Sequence, residues 1–197
     1  MNNNYTTQND LLLKNLMSFY KTDDTTGIYN PNNNLDKMLK IISGESKISL
    51  RIVDWFATNY AKKYYTHYFI KSPHDNNVRR FKVYNDYKLK LKAYSKKRFD
   101  PFCRWERTSI PYKNGKSIET TIGQLNFFKW AIENEVIDYI ENNYSDIEKD
   151  MNNRNSTSKR KDNSNDNSKT RKKREELSIS AIKSIKKEKV EIIVQFH

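Results

Sequence analysis

Residues 47 to 107 hold sixteen Lys and Arg against five acids, together with fourteen of the chain's 25 aromatic side chains. A segment of this kind has to bury most of its rings in a short domain while its cations stay outside. It therefore carries about +11 of the chain's formal +13 and combines cations with flat apolar rings, as a surface for a polyanion with accessible bases requires. A plainer explanation is that Asn, Lys, Ile and Tyr have A/T-rich codons. Residues 1–34 sum to −1 and residues 108–150 to −4, however, and codon bias does not readily place +11 beside −4. A functional basic face and a merely solvated one both remain open.

The 197 residues leave room for one domain, placed at 35–150. No apolar run approaches the roughly 20 residues that cross a bilayer, so no membrane partner is expected. The start, Met1-Asn2-Asn3-Asn4-Tyr5, lacks the basic-then-apolar pattern of a secretory signal. Cys103 is the only cysteine and His occurs three times, so neither a disulfide within the chain nor a Cys/His zinc site is expected. No cofactor is expected.

Leu12, Leu16 and Phe19 predict a short helix capped by Asn9 or Asp10, able to dock on the domain or on a partner. Thr22 to Asn34 reads as a flexible connection. Leu35, Met38, Leu39 and Ile42 predict a helix that stops at Ser43-Gly44. A second domain helix starts near Ser49, with Leu50, Val53, Phe56, Ala57 and Tyr60 on one face and Trp55 off it. Tyr64 to Ile70 and Val78 to Tyr84 predict a hairpin around a polar loop. Residues 85–98 fit both periods and are read as helix, which places Lys88, Lys92 and Lys96 in one column beside Tyr84, Tyr87, Leu91 and Tyr94. Asp100-Pro101 ends that helix.

Ser109 to Tyr112 and Lys116 to Thr120 flank an Asn114-Gly115 pair and predict a second hairpin. Thr121-Ile122-Gly123-Gln124 matches a capping box, and Leu125, Phe128, Ile132, Val136, Tyr139 and Ile140 predict a single helix of about five turns. Asn152 to Asn167 has no apolar periodicity and reads as disordered. Leu177 to Ile185 has near-helical spacing, and the Val190 to Val194 run is suited to pairing with an open sheet edge or another chain.

The candidate nucleic-acid face is Lys88, Lys92, Lys96, Lys97 and Arg98, continued by Arg104 and Arg107. Lysines would meet phosphates as point charges, and Arg can fork two bonds onto one phosphate or stack on a base. The Tyr and Phe rings between them are read chiefly as core. In the tail, Lys159-Arg160-Lys161 and Arg171-Lys172-Lys173-Arg174 fit a nuclear-import address, an arm on nucleic acid or a solubilising linker. Catalysis is not expected. Cys103 beside Arg104 has no base joined to it by a motif, and His67 and His74 are remote in sequence. There is no GxSxG, no paired-carboxylate motif and no Gly-rich phosphate loop.

Four stretches together resemble an uncharacterised protein family of the nucleocytoplasmic large DNA viruses, with relatives in mimivirus-like and chlorella-virus-like genomes. They are Ile52 to Tyr60, Lys88 to Lys97 ending in Ala93-Tyr94-Ser95-Lys96-Lys97, Phe99-Asp100-Pro101-Phe102-Cys103-Arg104, and Glu119 to Ile132. The resemblance covers roughly residues 47–142. It implies a compartment, virus factory or virion, and no mechanism.

The expectation is an α+β fold: a single small domain of about four helices with two β-hairpins, flanked by disordered polar termini. Its parts are a 1–34 Asn-rich segment, the 35–150 domain, a 151–174 basic linker and a 175–197 amphipathic segment. The expected partner is nucleic acid, DNA ahead of RNA. The alternative is a virion structural or adaptor protein that meets other copies or virion proteins. The expected location is the virion or host cytoplasm, with the nucleus open through the basic tail.

Overall fold

Thr121 ends a strand and starts the most deeply buried helix, because its hydroxyl accepts the Gln124 amide at 3.2 Å. The computed structural model describes residues 7–20, 34–71, 77–112, 117–162 and 186–188, with side chains up to residue 154. Within these residues the helices are α1 (Gln8–Tyr20), α2 (Asn34–Ser43), α3 (Leu50–Trp55), α4 (Ala61–Lys63), α5 (Val83–Phe99), α6 (Ile122–Glu133), α7 (Val136–Asn142) and α8 (Tyr144–Asp162). A π-helical segment, Phe56–Tyr60, joins α3 to α4. Two small antiparallel sheets complete an α+β fold. One pairs β1 (His67–Lys71) with β2 (Val78–Lys82), and the other has the order β3 (Arg107–Pro111), β4 (Ser117–Thr121), β5 (Lys186–Glu188).

Helix α6 is the centre. Ile122, Leu125, Phe127, Phe128, Trp130 and Ala131 are all buried, so most of its circumference is apolar, and the paired Lys129 and Glu133 mark the side that reaches solvent. Helices α1, α2, α5 and α7 and strand β4 surround it. Tyr20 is buried and donates its hydroxyl to the Leu125 carbonyl at 2.6 Å, which ties α1 to the core. The N-terminal helix is thus docked on the domain. Its cap is Thr7 rather than Asn9 or Asp10: the Thr7 hydroxyl and amide both donate to the Asp10 carboxylate, and the Asp10 amide donates back to the hydroxyl.

The expected five-turn helix is two helices. Asn134 sends its side-chain amide back to the Trp130 carbonyl at 2.8 Å, and Glu135 adopts a left-handed φ of 55° before α7 begins. The chain therefore has more helices than the four expected for the domain. At the other expected boundaries the agreement is closer. Ser49 accepts the Ile52 amide at 3.3 Å to start α3, and Gly44 takes a φ of 80° after α2. The expected disorder from Asn152 is replaced by helix as far as Asp162, and a tail strand is described at Lys186–Glu188, just before the expected 190–194 run. The 22–33 connection, the 113–116 turn, the 163–185 stretch and residues 189–197 lie outside the described residues. Among the described residues, no helix is long and apolar enough to cross a membrane.

Candidate nucleic-acid interface

The lysine column of α5 is cut at Ser95, whose φ of 63° and ψ of 165° are not helical. Only Lys88 and Lys92 stay together, around a shallow depression with Tyr84, Asn85, Leu89 and Leu91. Past the kink the cations meet partners within the molecule. Lys96 sits beside Asp54, where its charge opposes burial and the neighbouring Asp100, which together push the Asp54 carboxyl up to about 6. Lys97 pairs with Glu106 at 3.2 Å and lies 5.9 Å from the centre of the Trp105 ring. Hydrogen bonding to Lys97 holds the Glu106 carboxyl below its usual range.

Arg98 donates to Asn9 Oδ1 at 2.8 Å and Gln8 Oε1 at 2.9 Å, so it anchors α1. Arg107 pairs with Glu119 at 3.3 Å across β3 and β4, and Arg104 is exposed in the segment between α5 and β3. The seven expected residues therefore do not form one surface. Of the tail clusters, 159–161 lie on the last turns of α8, where only backbone is described, and 171–174 lie outside the described residues.

A different surface gathers cations that have no carboxylate partner among the described residues, and it is built by the first hairpin. Antiparallel pairing sets His67 opposite Lys82, Phe69 opposite Arg80 and Lys71 opposite Val78. Side chains alternate along a strand, so Ile70 and Phe81 point into the core while these six point outward. The inner face is pinned to the α6–α7 break. Tyr68 donates its hydroxyl to the Asn134 carbonyl at 2.7 Å, and Arg79 donates to Asn134 Oδ1 at 2.8 Å. Burial pushes the Tyr68 phenol well above its ordinary range, which keeps it a donor.

The outward face adjoins α4 and the start of α5 around a groove of about 560 Å³. Lys62, Tyr64, Tyr65, His67, Arg80, Lys82 and Tyr84 line it. Lys62 Nζ stands 5.7 Å from the centre of the Tyr84 ring. Tyr84 and Asn85 also border the α5 depression, so the two concavities adjoin, with Lys62, Arg80 and Lys82 in one and Lys88 and Lys92 in the other. Among the described residues, no carboxylate lines either. Asp86, the acid of α5, instead turns to accept from Trp130 Nε1 at 2.7 Å, and Lys63 is held by Asp150.

Of the residues expected from sequence, Lys88 and Lys92 border this surface, whereas Lys62, Arg80 and Lys82 were not among them. The signal was the two-residue period of His67-Tyr68-Phe69-Ile70-Lys71, which separates Phe69 from Tyr68 and Ile70. Cys103 is partly buried, with its amide donating to the Asp100 carbonyl at 3.1 Å. Among the described residues, no group of three or more His, Cys, Asp or Glu side chains could hold a metal ion.

A family model described as a family of unknown function (DUF7197) matches residues 1–196. The chain is also similar to "Uncharacterized protein L507" of Acanthamoeba polyphaga mimivirus, 48% identical over 129 residues, which are 63% of this chain and 49% of that protein. It thus spans about half the length of the curated relative it matches. No solved structure matches. The resemblance to an uncharacterised viral family holds.

Proposed function

The chain belongs to this family of unknown function, and because membership brings no activity with it we propose, on physical grounds, that it is a non-enzymatic nucleic-acid-binding protein of a large DNA virus. The observation that carries the reading is the pair of adjoining depressions that hold Lys62, Arg80, Lys82, Lys88 and Lys92, which no carboxylate lines among the described residues. Five cations near one another, with no carboxylate partner among the described residues, repel unless something negative lies against them. A phosphate backbone supplies that charge at regular spacing, and counterion release supplies the affinity. The basic tail at 159–161 and 171–174 adds a second, sequence-independent contact in this account, on DNA ahead of RNA. The compartment proposed is the virion or the host cytoplasm, with nuclear entry through the tail. The test is a gel-shift series with the full chain. Binding that weakens steeply from low to physiological salt supports the reading, and no binding to DNA or RNA at any salt removes it.

A second reading, assembly with virion proteins or further copies of this chain, rests on β5. That short strand pairs with the edge of β4 from beyond residue 162, the type of contact through which one chain docks on another. Light scattering across a concentration series separates the two. Self-assembly in the absence of nucleic acid favours the second.

A further inference from the structure

Lysines and arginines are enough to hold phosphates, yet this surface also presents rings that the fold does not use. Tyr65 is 85% exposed and Phe69 is 67% exposed, and neither ring packs against another aromatic ring among the described residues. Tyr65 also sits at a φ of 50°, a conformation that a bulky side chain seldom takes and that tends to persist where surrounding structure enforces it. Here the enforcement is visible on both sides. The Tyr64 amide donates to the Tyr60 carbonyl at 3.0 Å and the Thr66 amide to the Ala61 carbonyl at 3.1 Å. The His67 ring nitrogen meets the Tyr65 carbonyl at 3.1 Å. The turn therefore presents an aromatic ring to solvent in a fixed backbone setting.

Phe69 stands in mid-strand directly across from Arg80, on the outward face shared with His67 and Lys82. Directly opposed side chains on paired strands have Cβ atoms about 5 Å apart, so Phe69 and Arg80 leave the sheet side by side. Tyr65 borders the groove that holds the same Arg80 and Lys82. Phe69 thus shares its strand face with cations, and Tyr65 shares its groove with them.

We infer that this surface takes single-stranded nucleic acid, with unpaired bases stacked on Tyr65 and Phe69 while Lys62, Arg80 and Lys82 follow the phosphates. The inference rests on the nucleic-acid reading above and narrows its ligand. In a duplex the faces of the bases are occupied by their neighbours, so a flat protruding ring has nothing to stack on. In a single strand every base offers a face, and cations interleaved with rings form the usual platform. A two-stranded ribbon can instead enter the major groove of a duplex, where Arg and Lys would read base edges and the rings would be incidental.

The experiment measures fluorescence anisotropy of the full chain with labelled dT12 and with a 12-base-pair duplex, at one salt concentration. Wild type is compared with Tyr65→Ala/Phe69→Ala, with Tyr65→Gly/Phe69→Ala, and with Arg80→Gln/Lys82→Gln. Glycine suits the left-handed backbone at position 65, so the second variant guards against loss of fold. The inference expects dT12 to bind at least tenfold more tightly than the duplex. Both ring-removing variants should lose about tenfold or more on dT12 and little on the duplex. The Arg80/Lys82 variant should weaken both ligands. Equal or tighter duplex binding, or ring-removing variants that still bind dT12 like wild type, overturns the single-strand inference. If the Arg80/Lys82 variant is then still weakened, the broader reading survives. No binding of either ligand by wild type defeats both.

Discussion

Arg79 and Arg80 are consecutive on β2 and serve opposite faces of it. Arg79 reaches inward to donate to Asn134 Oδ1 at 2.8 Å, whereas Arg80 points outward opposite Phe69 and borders the groove. Identical side chains thus have different duties. Arg79→Gln is expected to lower unfolding stability by about 1 kcal/mol, the usual net worth of a hydrogen bond of this kind. Arg80→Gln should leave stability within about 0.5 kcal/mol and reduce the salt slope of nucleic-acid binding by about 1. Urea denaturation and anisotropy on the two variants check the pair.

Helix α6 approaches the turn after α5 so closely that a Cβ at Gly123 would lie 2.7 Å from the Asp100 carbonyl oxygen and 3.2 Å from that of Lys97. Both obstacles are backbone and do not move aside easily. Gly123→Ala is expected to destabilise the fold by about 1–3 kcal/mol, as overpacking commonly does. Thermal melts followed by circular dichroism are the check.

Burial first and then the nearby Asp100 raise the Asp54 carboxyl to about 6 from an unfolded value of 3.8. Between those values the folded chain holds a proton that the unfolded chain has lost. Stability from this group therefore falls as pH rises through about 6, and grows as pH is lowered from 7 toward 4. Asp54→Asn should flatten that dependence and stabilise the protein at pH 7 by roughly 1–3 kcal/mol. Denaturant titrations at pH 5 and pH 7 on both proteins measure it.

Asp150 joins α8 to the helices preceding β1. It accepts from Trp55 Nε1 at 3.1 Å and the Tyr64 hydroxyl at 3.3 Å, and it pairs with Lys63. Removing the carboxylate leaves a partly buried indole N–H without this acceptor. Asp150→Ala is expected to cost roughly 1.5–3 kcal/mol and to increase amide exchange in α8. Hydrogen exchange resolved by segment would show it.

Local signals in the chain were readable where one residue type has one physical use. Ser49 and Thr121 as caps, Gly44 beyond α2, and Pro101 beyond α5 all mark boundaries that the structure keeps close to where they were expected. The breaks that went unread carry no such residue. Ser95 and Glu135 take positive φ without being glycine, and their neighbours settle it: Asn134 satisfies the Trp130 carbonyl at the end of α6, and the residues after Ser95 turn toward Asp54, Glu106 and α1. The π-helical segment is likewise unmarked in the pattern of Leu50 to Tyr60.

The candidate interface was half legible for a related reason. Charge density singled out residues 47–107, but it could not tell which cations would find carboxylates. Lys97 and Arg107 find them through contacts nine and twelve residues away, and Lys63 through one 87 residues away. Those pairings come from the fold, and they move the free charge from the end of α5 to its beginning and to the hairpin.

The most direct measurement is the slope of log affinity against log salt for dT12, taken with wild type, with Lys62→Gln/Arg80→Gln/Lys82→Gln, and with Lys97→Gln/Arg107→Gln. The account predicts that removing the three groove cations lowers the slope by about 2, while the variant that removes two carboxylate-paired cations keeps the wild-type slope. A groove variant with the wild-type slope and affinity would contradict the claim that this surface carries the binding.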